Sequence, residues 1–192
     1  MVTIQTYISK NSYDAIVNKH LFANEDFIPI HHSSANQLGN QQLFTSKGTS
    51  LYGTVIISYQ NQFLSSFYDW DEVDGIWFSI LQAMYDCLNT DIGNFGFSGR
   101  SMGWQMHRLK EKNPAILFTW YHGLANKEWN DIPKKSTLRF PENVLLNNLI
   151  EKGTKFLRFR NALYDSGPSQ NINQLINDLK SFNSDLGHVQ LD

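Results

Sequence analysis

The chain has 192 residues, 41% of them hydrophobic and 14% aromatic, and a formal net charge of -2. A chain of that length buries a sizeable core without disulfides or metals, and a near-neutral balance excludes a general polyanion binder. The single cysteine, Cys87, excludes an internal disulfide and a cysteine-built zinc site and points to a reducing compartment. The opening MVTIQTYISKNSYDA lacks the basic start and apolar run of a signal peptide. No run of about 18 apolar residues could span a membrane, and no Asn-x-Ser/Thr sequon occurs. A cytoplasmic protein is the expectation.

In chain order, residues 2–9 (VTIQTYIS) alternate with β-branched positions and predict a strand. Asn11 or Ser12 can cap a short helix over 13–22. Residues 27–30 predict a short edge strand, because Pro29 removes a ladder donor. The polar run 31–48 predicts a surface loop. Residues 51–59 (LYGTVIISY) predict a strong strand, Asn61-Gln62 a turn, and 63–68 a returning strand.

The stretch 69–88, DWDEVDGIWFSILQAMYDCL, organises the rest of the chain. Val73, Ile76, Trp77, Ile80, Leu81, Met84 and Leu88 recur every three or four positions, the stripe of a helix laid across a sheet. Asp69 or Asp71 can cap it, and Asp71, Glu72 and Asp74 sit where the helix dipole favours negative charge.

Phenylalanines alternate with small residues over 94–98. In 101–109, Met102, Trp104 and Met106 alternate with Gly103, Gln105 and His107, predicting a half-buried strand. Residues 115–121 (AILFTWY) are the most apolar and predict a mid-sheet strand. A loop around Trp129 comes next over 123–135, and 137–140 can pair as one more strand. Pro141 and Glu142 open a helix with Val144, Leu145, Leu149, Ile150, Phe156, Leu157 and Leu163 on one stripe, closed by Ser166-Gly167-Pro168. A last helix over about 170–186 uses Ile172, Leu175, Ile176, Leu179 and Phe182. Consecutive strands imply antiparallel pairing. The fold expected is α+β: a single mostly antiparallel sheet with two long amphipathic helices on one face. Residues 1–165 form that domain, and 166–192 a C-terminal helical appendage packed on it.

The densest charge feature is Asp69, Asp71, Glu72 and Asp74. Such carboxylates serve a helix start, meet a basic partner, or do acid–base or cation chemistry. The first two uses are compatible and are the ones expected here. His20, His31, His32, His107, His122 and His188 show no metal spacing. Cys87, near a helix C-terminus, reads as buried and inert. Gly93, Gly96 and Gly99 do not make a dinucleotide fingerprint, and no G-x-S-x-G elbow positions a serine. Trp104, Trp120, Tyr121 and Trp129 with Arg100, His107 and Arg108 could stack bases, but the alternation puts about half of them in the core. No catalytic residue, metal ligand or cofactor is expected.

Five pieces carry a resemblance: LYGTVIISY (51–59), WDEVDGIWFSILQAMYDCL (70–88), GWQMHRL (103–109), AILFTWY (115–121) and FPENVLLNNLIEKGTKFLRF (140–159). In this order they resemble bacterial immunity proteins of polymorphic toxin and contact-dependent growth inhibition systems. In those, an acidic D-x-x-D-x-x-W start precedes a helix laid on a sheet, and the closing helix carries a late aromatic pair, here Phe156 and Phe159. The likeness spans roughly 51–159. It implies a non-enzymatic cytoplasmic protein that neutralises a cognate toxin by direct binding, with Asp69, Asp71, Glu72 and Asp74 as partner-binding residues. Two other readings stand beside it. One is a small enzyme or ligand-binding domain, which should open a deep polar pocket near His107 and Arg108; the other is a phage or structural assembly protein.

Overall fold

In a computed structural model, the described residues are 1–11, 24–46, 51–96, 102–122, 135–163 and 169–188. The helix expected over 13–22, the loop around Trp129 and the Ser166-Gly167-Pro168 stop lie outside them.

Alternation of β-branched residues builds β1 (Val2–Ser9), with Val2, Ile4, Thr6 and Ile8 turned inward. It pairs antiparallel with β2 (Phe27–Pro29) at one end and along its length with β3 (Tyr52–Tyr59). Two short strands, β4 (Gln62–Phe63) and β5 (Asp71–Glu72), pair with the other side of β3. The predicted strand over 63–68 is therefore reduced to its first residue. Beyond it the chain folds over the far face of this sheet, where Phe27 and Trp70 are buried with Tyr7, Tyr52 and Phe67 against them. Tyr7 and Phe67 meet edge to face at 5.0 Å.

The second sheet, in the order β6-β7-β8-β9, is β6 (Ile92–Gly96), β7 (Gly103–Leu109), β8 (Ala115–Tyr121) and β9 (Lys135–Pro141), all antiparallel. Its inner face is Trp104 and Met106 of β7, Ile116, Phe118 and Trp120 of β8, and Leu138 and Phe140 of β9. Trp104 and Trp120 pack as cross-strand partners with centroids 4.6 Å apart.

The expected single sheet with two long helices on one face is thus corrected to two separate antiparallel sheets and, among the described residues, four helices. Two features of the chain enforce the split. β3 already has β1 on one side and β4 and β5 on the other. From β5 the chain passes straight into α2 (Val73–Thr90), which ends at Asp91 with a left-handed φ of 66°. That turn sends β6 back along the helix rather than back to β3. Gly93 makes this approach possible: a Cβ there would lie 1.7 Å from the Ala83 carbonyl oxygen.

α2 is buried on more than one stripe, as its central place requires. Trp77 donates its indole N–H to Thr6 Oγ1 of β1 at 3.0 Å. Phe78 meets Phe95 of β6 edge to face, and Tyr85 meets Phe182. Burying a side chain such as Ile80 or Met84 stabilises the fold by about 1.5–3 kcal/mol each.

α3 (Glu142–Asn161) and α4 (Ser169–His188) complete the core. Phe156 stacks on Trp77 at 6.0 Å, and Ile172, Ile176 and Leu179 join the same buried cluster. The expected loop over 31–48 is corrected too, because α1 (Ala35–Thr45) lies within it. Its sequence hides it, since only Ala35, Gly39, Gln42 and Leu43 are buried. Gln42 provides the anchorage that an apolar stripe usually gives. Its Nε2 donates to the Ser9 carbonyl at 2.6 Å, and its Oε1 accepts from the Tyr52 N–H at 2.7 Å. One amide thereby ties the end of β1 to the start of β3.

Candidate functional site

The four carboxylates singled out in the sequence lie on the turn that leads through β5 into α2. That turn is held by side-chain hydrogen bonds. Ser65 Oγ donates to the Val55 carbonyl at 2.7 Å and accepts from the Ile57 N–H at 2.9 Å. Thr54 Oγ1 lies within hydrogen-bond distance of the Ser66 and Asp69 carbonyls. Asp69 Oδ2 accepts from the Ser66 N–H at 2.7 Å and from its hydroxyl at 2.9 Å, the local closure that Asp favours in turns.

The four carboxylates point two ways. Asp69 and Asp74 are buried, 2% and 4% exposed. Asp71 is half-buried, with Oδ1 accepting from the Glu72 N–H at 2.8 Å, and Glu72 is exposed. The helix start differs from the one expected. Glu72, extended, is the N-cap and makes no side-chain capping bond. The first helical N–H, that of Val73, donates instead to the Leu51 carbonyl at 2.8 Å. A strand end supplies the acceptor, so neither Asp69 nor Asp71 is needed as a cap.

Asp74 pairs with Arg160 of α3, whose Nε donates to Oδ1 at 3.1 Å. Burial pushes the Asp74 carboxyl above its ordinary value, and the Arg160 guanidinium opposes that push. Arg160 itself is 1% exposed. A second ion pair secures the other end of α2. Arg108 of β7 donates from Nε and Nη2 to both oxygens of Glu142 at 2.7 and 2.8 Å, and from Nη1 to the Leu88 carbonyl at 3.2 Å. The Glu142 bond leads the effects that raise the Arg108 pKa.

Asp69 joins the two sheets. His122 comes directly after β8, and its Nδ1 lies 2.9 and 3.0 Å from the two Asp69 oxygens. The other ring nitrogen, Nε2, lies 2.9 Å from Ser136 Oγ at the start of β9. The His122 side chain is only 7% exposed, and Ser136 is half-buried. Against a carboxylate, Nδ1 carries the proton in the neutral ring. Nε2 is then the acceptor for the serine hydroxyl. Nothing local in the sequence signals this line, because its members are 53 and 14 residues apart. Arg160 escapes sequence reasoning for the same reason, at 86 residues from Asp74.

The remaining candidates are dispersed. His31, His32 and His107 are not buried. His107 and Arg108 point to opposite faces of β7, one exposed and the other engaged with Glu142, so they do not line one pocket. Two open grooves lie elsewhere. One is lined by Phe95, Trp104, Gln105 and Tyr121, and the other by Ile4, His31, Lys152, Lys155 and Phe159. Burial pushes the Cys87 thiol up to about 12. Trp104 and Trp120 are buried, while Tyr121 is 41% exposed. Arg100 and Trp129 lie outside the described residues. Among the described residues, no group of three or more His, Cys, Asp or Glu could hold a metal. No described helix is long and apolar enough to cross a membrane. No protein-family model, curated protein or solved structure matches this chain.

Proposed function

We propose that this protein is a binding protein of the immunity type, which neutralises a cognate toxin through the corner formed by the 64–72 turn and β5. The observation that carries the reading is the division of labour among the four carboxylates. Asp69 and Asp74 point inward and are locked by His122 and Arg160. Asp71 and Glu72 sit between them on a strand registered to Gly53 and Tyr52 of β3. Their backbone is therefore fixed before any partner arrives, and less ordering entropy is lost on binding. Tyr68, 39% exposed, lies on the same turn and adds an aromatic anchor of the type enriched in interfaces. Carboxylates beside an aromatic ring suit a basic surface on the toxin, where complementary charge raises on-rate and specificity.

The test is a pull-down of the tagged protein from its own host lysate, at low salt and at about 0.5 M salt, where exposed charges are screened within a few ångströms. The expected result is one stoichiometric partner, encoded beside this chain and weakened by salt. Recovery of the protein only with itself would overturn the reading.

A further inference from the structure

We propose that Ser136 is an activated nucleophile that cleaves small acyl esters, with His122 as its proton acceptor and Asp69 as the residue that positions His122. The proposal is independent of the partner reading and rests on the line Asp69–His122–Ser136.

Nucleophilic serine chemistry needs a base within hydrogen-bond reach of the hydroxyl and a third group that fixes the base's tautomer. His122 Nε2 at 2.9 Å from Ser136 Oγ meets the first need, and Asp69 at 2.9 Å from Nδ1 meets the second. Asp69 is fixed in turn by two donors from Ser66. A tie between the turn and the second sheet would be complete at the Asp69–His122 contact; the line goes on to a hydroxyl.

The further observation concerns Trp120, which is the cross-strand partner of Ser136. Trp120 is fully buried, and its indole N–H has no hydrogen-bond partner among the described residues. An unpaired buried donor costs about 1–3 kcal/mol. That cost is borne at the position directly across the strand pair from Ser136.

The step balances without a redox partner. Ser136 Oγ bonds to the ester carbonyl carbon while its proton passes to His122 Nε2. The tetrahedral oxyanion collapses, and the leaving alkoxide takes that proton as the alcohol. Water then attacks the acyl-serine, gives its proton to Nε2, and the carboxylic acid leaves as the Ser136 hydroxyl is restored. Ester and water become acid and alcohol.

The experiment treats the purified full chain with diisopropyl fluorophosphate and locates any adduct by peptide mass mapping. The expected result is one phosphorylated serine, Ser136, with no adduct in Ser136→Ala. Labelling of His122→Ala should slow at least about a hundredfold, and added imidazole should restore part of it. Asp69→Asn should slow it at least about tenfold, with partial rescue in Asp69→Glu, which a merely structural carboxylate would not give. Wild-type protein left unlabelled, labelled on another serine, or labelled at the same rate when folded His122→Ala replaces it, would overturn the proposal. Because the wild-type result alone is decisive, a variant that fails to fold does not shield the idea.

Discussion

At the residue scale, Asp74 and Arg160 are the pair on which most depends. Both are almost wholly buried, and each offsets part of the cost of burying the other's charge. Asp74→Ala is therefore expected to cost about 3–5 kcal/mol in urea unfolding at neutral pH. The pH dependence has a definite sign. Burial raises the Asp74 pKa in the folded protein above its ordinary value of 3.8, so the folded state holds this proton more tightly than the unfolded chain does. Its contribution to stability is complete below 3.8 and declines as pH rises through the folded value. The gap between the native protein and Asp74→Ala should narrow over that rise; a gap that widens would contradict this assignment. Gly93 is the other residue with no latitude, since a methyl group there meets backbone rather than a flexible side chain. Gly93→Ala should cost about 3 kcal/mol or more and lower the thermal midpoint, because the β6–α2 approach cannot relax around it.

At the element scale, the legible part of the chain was the part that periodicity reports. β1, β8 and the apolar stripe of α2 can be read from alternation and three-to-four spacing, because one side of each is pressed against a core. α1 escaped because its anchor is an amide rather than a stripe. Gln42→Ala would remove the amide bonds to the buried Ser9 carbonyl and the Tyr52 N–H. It should cost about 2–4 kcal/mol in urea unfolding, with α1 the first element to lose amide-exchange protection. The start of α2 escaped differently: Asp69 and Asp71 have cap chemistry, but the Leu51 carbonyl reaches the Val73 N–H first. Local sequence cannot show which of two acceptors tertiary structure brings closer.

At the scale of the whole molecule, the same limit explains the second sheet. Strand order depends on which edges are already occupied, and β3 has neighbours on both sides before the second set of strands is reached. α2 consequently serves as the wall between the two sheets, and one buried cluster runs through all the layers. The candidate site was legible only in part. Its carboxylates stand out as a charge cluster, but their inward and outward division depends on His122 and Arg160, which meet them only in the fold. The corner at β5 is where this arrangement reaches the surface: two buried pairs brace it from within, and the half-buried Asp71 and exposed Glu72 lie between them.

The most direct measurement is the affinity of the captured partner for the native protein and for the double variant Asp71→Lys/Glu72→Lys, by titration calorimetry at low salt. Both side chains lie outside the core, so the circular dichroism spectrum and thermal midpoint should be preserved. Affinity is expected to fall at least about tenfold, mostly through a slower on-rate, with the difference shrinking as salt is added. Unchanged affinity in a folded double variant would show that the partner binds elsewhere and would remove the β5 corner from the mechanism.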